Sequence, residues 1–341
     1  MTGDEKGLAR AREAAARMLG ILRGLGAGSP GGVIAGVHTP EGARELREQT
    51  GRWPGLLGIE YCRDYGCSPS ASAAEAVPWR ELNPGLVEHG EAGGLIRVLT
   101  HFPDPCRPEF GGLRDPDADV DAILTPGTPA RDRWLALLDE VAAGFRDLGR
   151  HGIPVLYGPL HEMNCSGFWW GLDHPGGAPE KYRSLWRDAV GRIRGHNGCD
   201  NVLWLWAPLA MTPLVPEAYP GDDLVDVVGL DVYAPSIAPF AGHYRAVSTL
   251  GKPFILSEFG PSQWDATEPP KDPPYRCPEL LREIRGHWPL TAAFMFWGDV
   301  FLPTRQQDAD AMMRDPGVVD RDRLASMAWI SGRGRTRRGR A

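Results

Sequence analysis

The chain has 341 residues, of which 42% are hydrophobic and 24% charged, and its formal net charge at pH 7 is −7. This composition is typical of a globular protein that is large enough to bury a substantial core. The negative charge argues against a nucleic acid as partner. No run reaches the roughly 18 apolar residues that a membrane-spanning helix needs.

The first 30 residues are predicted to form an amphipathic helix that packs on the rest of the protein. Its apolar face carries Leu8, Ala15, Met18, Leu19 and Leu22. Acidic residues interrupt the segment, so it does not resemble a signal peptide. The sequence as written therefore predicts a cytoplasmic protein, or a secreted one if a leader has been removed. Residues 331–341 form a basic tail that is predicted to be disordered.

Eight short apolar runs follow the first helix, at 32–37, 56–60, 94–100, 153–160, 201–206, 225–230, 253–257 and 291–296. Helical patterns separate most of them, at 41–49, 79–91, 131–148 and 180–194. Residues 104–129 are predicted to form a long loop, and the Pro-rich connection at 207–224 needs no long helix. Strands that are apolar throughout are buried on both faces, which indicates a parallel sheet covered by helices.

Eight such units predict a single (β/α)8 barrel over residues 31–330, with the N-terminal helix as an addition. A doubly wound sheet is the alternative, but no glycine-rich phosphate-binding motif follows any run. No repeat or linker divides the chain. In a barrel of this type the active site lies at the carboxyl ends of the strands.

The residues that follow the apolar runs are therefore candidates for one site. They include His38, Tyr61, His101, His161 with Glu162, Trp206, Asp231 with Tyr233, Glu258 and Trp297. Each has an ordinary explanation when taken alone, because an acid after a strand often caps the next helix and a histidine is often structural. Trp204 and Trp206 are expected to face opposite ways, so that at least one of them is a core residue.

Taken together, these residues favour the hydrolysis of a glycosidic bond. Glu162 and Glu258 end the fourth and seventh strands, which lie roughly across the barrel from each other. Retaining glycosidases need two carboxyl groups about 5–5.5 Å apart, one protonated to donate to the leaving oxygen and one ionised to attack. Aromatic side chains at the same edge suit the flat faces of a sugar.

Other chemistries fit the sequence less well. His101, His161 and Asp231 could form a metal site, but that function would leave the aromatic residues unused. No G-x-S-x-G motif is present for a serine hydrolase. The six cysteines lack zinc spacing and are expected to be free thiols, with Cys62–Cys67 or Cys106–Cys165 as possible disulfides. We therefore expect no metal and no cofactor.

The chain resembles family 26 of the glycoside hydrolases. The resemblance is carried by HEMN and FWWG (161–164 and 168–171), KPFILSEFG (252–260), GGLIRVLTHFPDP (93–105), VDVVGLDVY (225–233), FMFWGD (294–299) and GVIAGVHTP (32–40). These motifs span the whole predicted barrel in order. The first pair is specific, whereas SEFG alone would be weak.

The resemblance implies a role for each matching residue. Glu162 would be the acid/base and Glu258 the nucleophile, while Tyr233 would hold the carboxylate of Glu258 through its hydroxyl. The remaining substrate-binding residues would be His101 and His161 beside the acid/base, Trp297 as the floor of subsite −1, Trp169 and Trp170 as a wall, of which one could be core, and Asn164, Tyr61 and Trp206.

The implied activity is a retaining endo-β-glycosidase acting on β-1,4-mannan-type polysaccharide or oligosaccharide, as a monomer and away from membranes. The same chemistry on β-1,3-xylan, mixed-linkage β-glucan or a small glycoside is the alternative, and a non-catalytic carbohydrate-binding barrel is another. Cys165-Ser166-Gly167 stands where the family pattern has an aromatic residue, and Leu209 where it has a polar one. Both departures concern the identity of the substrate more than the mechanism.

Overall fold

A computed structural model describes residues 2–26, 28–29, 31–62, 70–165, 167–262 and 274–327. These residues form a closed barrel of eight parallel strands, in which each strand pairs with the next and the first also pairs with the eighth. The strands are β1 (Val33–His38), β2 (Leu56–Glu60), β3 (Leu95–Thr100), β4 (Val155–Pro159), β5 (Val202–Trp206), β6 (Val227–Tyr233), β7 (Phe254–Gly260) and β8 (Thr291–Phe296). A short strand, β9 (Val318–Val319), lies parallel to β1. The predicted (β/α)8 fold is confirmed.

Helices connect most of the strands, and further helices precede the first strand and follow the last. They are α1 (Gly3–Gly24), α2 (Pro40–Thr50), α3 (Ala73–Ala76), α4 (Trp79–Glu91), α5 (Val120–Leu124), α6 (Pro129–Arg150), α7 (Pro179–Val190), α8 (Ala241–Ser248), α9 (Cys277–His287), α10 (Ala309–Met313) and α11 (Arg321–Ser326). A π-helical turn, Gly191–His196, extends α7, and the connection at 207–224 holds only the 3₁₀ turn Pro216–Ala218. The long loop predicted at 104–129 contains a short helix, α5, which the side chain of Asp119 caps.

Side chains alternate along each strand between the barrel interior and the layer beneath the helices. One buried cluster holds the interior positions, such as Leu203 and Leu205 on β5. The other cluster holds the outward positions together with the helices, including the fully buried Trp134 of α6. The barrel thus has two buried clusters. Because side chains alternate along a strand, most neighbouring strand residues belong to different clusters.

Trp204 and Trp206 both belong to the outer cluster. The expectation that they face opposite ways is wrong, because residues two apart on a strand share a face. Trp204 packs against Tyr157 and Trp186, and Trp206 packs against Tyr219. Neither side chain extends into the barrel interior.

The N-terminal helix α1 closes the amino-terminal end of the barrel. Thr2 and Glu5 form a capping box at its start. Ala15, Met18 and Leu22 share the buried cluster of the barrel interior, whereas Leu19, which was predicted on the same face, is only partly buried. The helix therefore completes the apolar lower half of the barrel.

Several expectations concern other parts of the chain. Cys106 and Cys165 are not joined by a disulfide. Cys67 and the basic tail at 331–341 lie outside the described residues. Among the residues that are described, no helix has the length and apolar character that crossing a membrane requires.

The packing of α1 predicts an unequal effect of two neighbouring substitutions. Met18→Ala should lower the free energy of unfolding by about 2–5 kcal/mol, because it empties space at the base of the barrel. Leu19→Ala, on the same turn but partly exposed, is the matched control and should cost less. Urea denaturation measures both. Equal losses for the two variants would contradict this position of the helix.

Candidate active site

Glu162 lies in a tight turn immediately after β4. Leu160 and Glu162 both have a φ of 51°, which is uncommon for residues other than glycine. The backbone N–H of Glu162 donates to the carbonyl of Ala207 at 2.8 Å, so the turn is tied to the end of β5. Such backbone strain persists where the surroundings hold it, and it is concentrated at functional sites. Here it fixes the carboxyl group of Glu162 at the mouth of the barrel.

Glu258 is held by hydrogen bonds to both of its carboxylate oxygens. Nη2 of Arg97 donates to Oε1 at 2.9 Å, and the hydroxyl of Tyr233 donates to Oε2 at 2.8 Å. The other arm of the Arg97 guanidinium donates to the carbonyl of Ser257 at 3.0 Å. The predicted contact between Tyr233 and Glu258 is therefore confirmed. Arg97 is wholly buried in the barrel, which makes this an internal ion pair.

A third carboxyl group, that of Asp231, completes a compact trio. One carboxylate oxygen from each of Glu162, Asp231 and Glu258 lies within 4.8 Å of the others. An irregularity in the pairing of β6 and β7 follows Leu230 and brings Asp231 opposite Glu258. Ser257 donates a hydrogen bond from its hydroxyl to Asp231. The trio is buried, with Glu162 the most exposed of the three at 8%.

Burial and mutual repulsion make the three carboxyl groups chemically different. Burial, and then the charge of Glu258, raise the pKa of Glu162 to about 8. The same two causes raise the pKa of Asp231 well above its usual value. Glu162 therefore carries a proton at pH 7. Its Oε1 is buried and makes no hydrogen bond with any described residue, so it is available to a ligand.

Two histidines flank the trio. His101 and His161 meet edge to face with their ring centroids 4.6 Å apart, and His101 contacts the carboxylate of Glu60. Burial, and then the neighbouring His101, lower the pKa of His161 well below its usual value, so this ring is neutral. Burial raises the pKa of Glu60, but His101 and His38 outweigh this effect and leave it lowered. The sequence analysis missed Glu60.

Trp297 lies at the end of β8 and stacks on His38. Their ring centroids are 4.1 Å apart and the planes differ by 12°. Burial lowers the pKa of His38 to about 4, although Glu60 opposes the shift, so an uncharged ring supports the indole. This pair forms an aromatic surface at the same edge of the barrel as the carboxyl groups.

Four residues that were predicted to contact the substrate have other partners. Tyr61 belongs to the outer cluster and donates its hydroxyl to Asn83, and Trp206 packs outward as described above. Trp169 is the core member of its pair, since its indole N–H donates to the carbonyl of Phe102 at 2.8 Å. The amide of Asn164 bonds the backbone of Leu209 in both directions and therefore fixes the loop after β5.

Trp170 lies closer to the site, but behind the two histidines. Its indole N–H donates to the carbonyl of His161 at 3.0 Å, and its ring stacks on Phe168 with centroids 4.7 Å apart. Phe168 in turn contacts both His101 and His161. The predicted wall of adjacent tryptophans is instead a buried support for the two histidines.

Arg97 and Ser257 were also missed from the sequence, although one signal was available. Arg97 is the single charge in the apolar run LIRVLT and lies two residues after Leu95, an interior position. A charge at an interior position of a barrel strand requires a partner. That requirement points towards the carboxyl groups at the same edge.

The less favoured alternative, a metal set of His101, His161 and Asp231, is not among the groups of close ligand atoms in the described residues. Among the described residues, the group with ligand atoms close enough for a metal ion is Glu162, Asp231 and Glu258. In that group Arg97 and Tyr233 already bond both oxygens of Glu258. Arg97 therefore already supplies a positive charge beside this group.

Comparisons with known proteins agree on one family. The model of glycosyl hydrolase family 26 matches residues 21–323. A mannan endo-1,4-beta-mannosidase from Bacillus subtilis is 29% identical over 285 residues, covering 82% of this chain and 76% of the relative. The chain spans about half, 53%, of the similar enzyme mannan endo-1,4-beta-mannosidase A and B from Caldalkalibacillus mannanilyticus, at 28% identity over 82% of the chain.

The fold is shared with solved structures. The structure of the Bacillus subtilis mannanase BCman matches with a TM-score of 0.81 at 26% identity, over 90% of this chain and 92% of that one. The YdhT protein from Bacillus subtilis matches with a TM-score of 0.79 at 25% identity, over the same shares of the two chains. The barrel and the order of its strands are therefore common to these proteins.

The raised pKa of Glu162 predicts a pH-dependent gain in stability on substitution. Glu162→Gln should resist urea better than the wild type at pH 9, and this advantage should fade towards pH 5. Between about pH 4.5 and 8 the folded state keeps the Glu162 proton that the unfolded state releases. The free energy of unfolding of the wild type therefore falls as the pH rises through that window. Glutamine is neutral throughout.

The exposed Glu48→Gln, on α2, is the control and should show no such trend. A stability difference between Glu162→Gln and the wild type that stayed constant from pH 5 to pH 9 would mean that Glu162 titrates normally.

Proposed function

Because the chain belongs to glycosyl hydrolase family 26 and is a glycoside hydrolase, we propose that it cleaves β-1,4-mannan or a related manno-oligosaccharide internally, with retention of anomeric configuration. The supporting observation is the carboxylate pair, whose oxygens lie within 4.8 Å. A retaining mechanism needs the two carboxyl groups about 5–5.5 Å apart, while an inverting one needs room for a water between them.

In the first step Glu258 attacks the anomeric carbon. Its two oxygens are oriented by Arg97 and Tyr233, so the carboxylate needs no reorganisation before it reacts. As the bond between Glu258 and the sugar forms, the bond to the leaving oxygen breaks, and Glu162 donates its proton to that oxygen. The raised pKa of Glu162 suits this donation at neutral pH.

In the second step the roles of Glu162 reverse. Its carboxylate, now ionised, takes a proton from a water molecule that attacks the anomeric carbon, and the bond to Glu258 breaks. The sugar leaves with its original configuration, and Glu162 regains its proton. Loss of the Glu258 charge in the intermediate lowers the pKa of Glu162, because repulsion from Glu258 contributes to raising it. The charge of Glu258 thus helps Glu162 to act as an acid in the first step, and its loss helps Glu162 to act as a base in the second.

We assign the sugar of subsite −1 to the surface between Trp297 and the two histidines. Trp297 is stacked on neutral His38 and offers its indole to a sugar ring. His161 is neutral, and its buried Nδ1 has no hydrogen-bond partner among the described residues, so it can bond a hydroxyl. Asp231 is kept neutral by burial and by Glu258, and therefore acts as a hydrogen-bonding acid beside the nucleophile.

The assignment to mannan rests on the relatives, several of which are named mannan endo-1,4-beta-mannosidases. Catalysis is favoured over simple carbohydrate binding because the pKa of Glu162 is raised by burial, whereas Glu258 is held by Arg97 and Tyr233. A binding site gains nothing from a carboxyl group whose pKa is raised to about 8. Release of reducing sugar from a panel of β-glycans, with product lengths, tests the substrate directly.

Substitution of each glutamate should give a different kinetic pattern. Glu162→Ala should lower mannan cleavage by about 10²–10⁴-fold, because the leaving oxygen loses its proton donor. On an aryl mannobioside with a good leaving group the same variant should keep its first step and release a burst of phenol, since that group needs no proton. Glu258→Ala should lose activity on both substrates.

Glu48→Ala removes an exposed carboxylate and serves as the control. Stopped-flow release of the phenol measures the burst. If Glu162→Ala lost as much activity on the aryl substrate as on mannan, Glu162 would not be the acid.

A further inference from the structure

Arg114 lies near Glu162, and no carboxylate among the described residues forms an ion pair with it. Arg114 belongs to the segment between β3 and α5, and its guanidinium carbon lies 5.8 Å from the centroid of the Phe168 ring. A Cβ placed on Gly167 would lie 3.6 Å from Cδ and Nη1 of Arg114. The arginine side chain therefore crosses the backbone of the loop that carries Glu162.

Two other arginines near this segment, Arg107 within it and Arg133 on α6, have polar partners. Arg107 pairs with Asp115 and Asp117, and Arg133 donates to the backbone carbonyls of Pro105 and Cys106. Arg114 makes no hydrogen bond or ion pair with any residue that the structure describes. Its guanidinium lies near the face of Phe168, and Arg114 as a whole is exposed.

The charge of Arg114 acts on the acid side of the site. Burial and Glu258 raise the pKa of Glu162, and Arg114 is the largest of the charges that oppose this rise. The carboxylate of Glu258 is instead neutralised by Arg97, deep in the barrel. Under the mechanism above, a group beside the loop that carries Glu162 lies on the side of the leaving sugar, in subsite +1.

The loop around Arg114 offers little apolar surface for a sugar ring. Cys165 and Gly167, which lie on either side of position 166, are small, and Phe168 is buried beneath the arginine. A leaving sugar at this position would therefore meet a guanidinium rather than an aromatic platform. Guanidinium groups bind carboxylate and sulfate oxyanions through two parallel hydrogen bonds.

We propose that Arg114 selects substrates whose leaving sugar carries an oxyanion, either the carboxylate of a uronic acid or a sulfate ester. This inference rests on the proposed function, since it requires Glu162 to protonate the leaving sugar. It narrows the substrate class from neutral β-mannan to an acidic or sulfated β-glycan with a cleavable β-linkage to the charged unit.

Three matched substrates test the proposal, each with mannobiose linked β-1,4 to one leaving unit. The leaving units are mannose, mannuronate and 6-sulfated mannose. Wild-type kcat/KM should be about tenfold higher for at least one charged substrate than for the neutral one, and high salt should reduce the difference. The better of the two charged substrates identifies the oxyanion.

Variants of Arg114 should remove this preference. In Arg114→Gln the ratio of kcat/KM for the charged substrate to kcat/KM for the neutral one should fall to about one. Arg114→Lys should retain only part of the preference, because an ammonium group cannot form the two parallel hydrogen bonds of a guanidinium. Arg80→Gln removes another exposed arginine, which stacks on Trp79 and pairs with Glu140, and should keep the wild-type ratio. A wild-type ratio of one, or an unchanged ratio in Arg114→Gln, would overturn the proposal.

Binding measurements separate this proposal from the proposed function. Titration calorimetry with Glu258→Gln, with and without Arg114→Gln, gives Kd for the three trisaccharides without turnover. Turnover of the neutral substrate with no charge preference leaves the function standing and rejects the role of Arg114. Tighter, Arg114-dependent binding of a charged substrate without wild-type turnover supports the oxyanion site and rejects the glycosidase mechanism.

Discussion

The buried ion pair between Arg97 and Glu258 is the interaction on which the site depends. Three carboxyl groups share the mouth of the barrel within 4.8 Å, and a fully ionised trio in a buried place would repel itself strongly. Arg97 stabilises one negative charge, on Glu258, and the other two groups respond to that charge by keeping their protons. A buried guanidinium is costly to desolvate, and its hydrogen bonds to Glu258 and to the backbone of Ser257 offset that cost.

The barrel is divided to suit this arrangement. Its lower interior is apolar and is closed by Met18 and Leu22 of α1, which keeps water from the base of the site. Its upper interior carries polar groups, among which Arg97 pairs with Glu258, and burial lowers the pKa of His38 and of His161. Glu258 alternates with Ser257 and Phe259 at an irregular stretch of β7, so a small departure from regular pairing aims the carboxylate. The apolar half thus provides the rigidity that the polar half requires.

The sequence allowed the fold and the meeting of Glu162 and Glu258 at one end of the barrel to be predicted, because apolar runs and strand ends are local signals. The predictions were wrong where they depended on which face of a strand a side chain occupies. Tyr61 follows Glu60 by one residue and so faces the opposite way, and Trp206 shares the outward face of Trp204. Arg97 was overlooked because a single charge in an apolar run resembles an ordinary strand residue. The position of Arg114 depends on a long connection whose path no periodicity describes, and so it became visible only in three dimensions.

The identity of the nucleophile can be tested by trapping the covalent intermediate. A 2-deoxy-2-fluoro-β-mannobiosyl fluoride should react with the wild type and remain attached, because the fluorine slows the second step more than the first. Peptide mass spectrometry should then find the sugar on Glu258, and Glu258→Gln should remain unlabelled. A label on Glu162 or Asp231, or an inverted anomer as the first product released from the natural substrate, would contradict the mechanism.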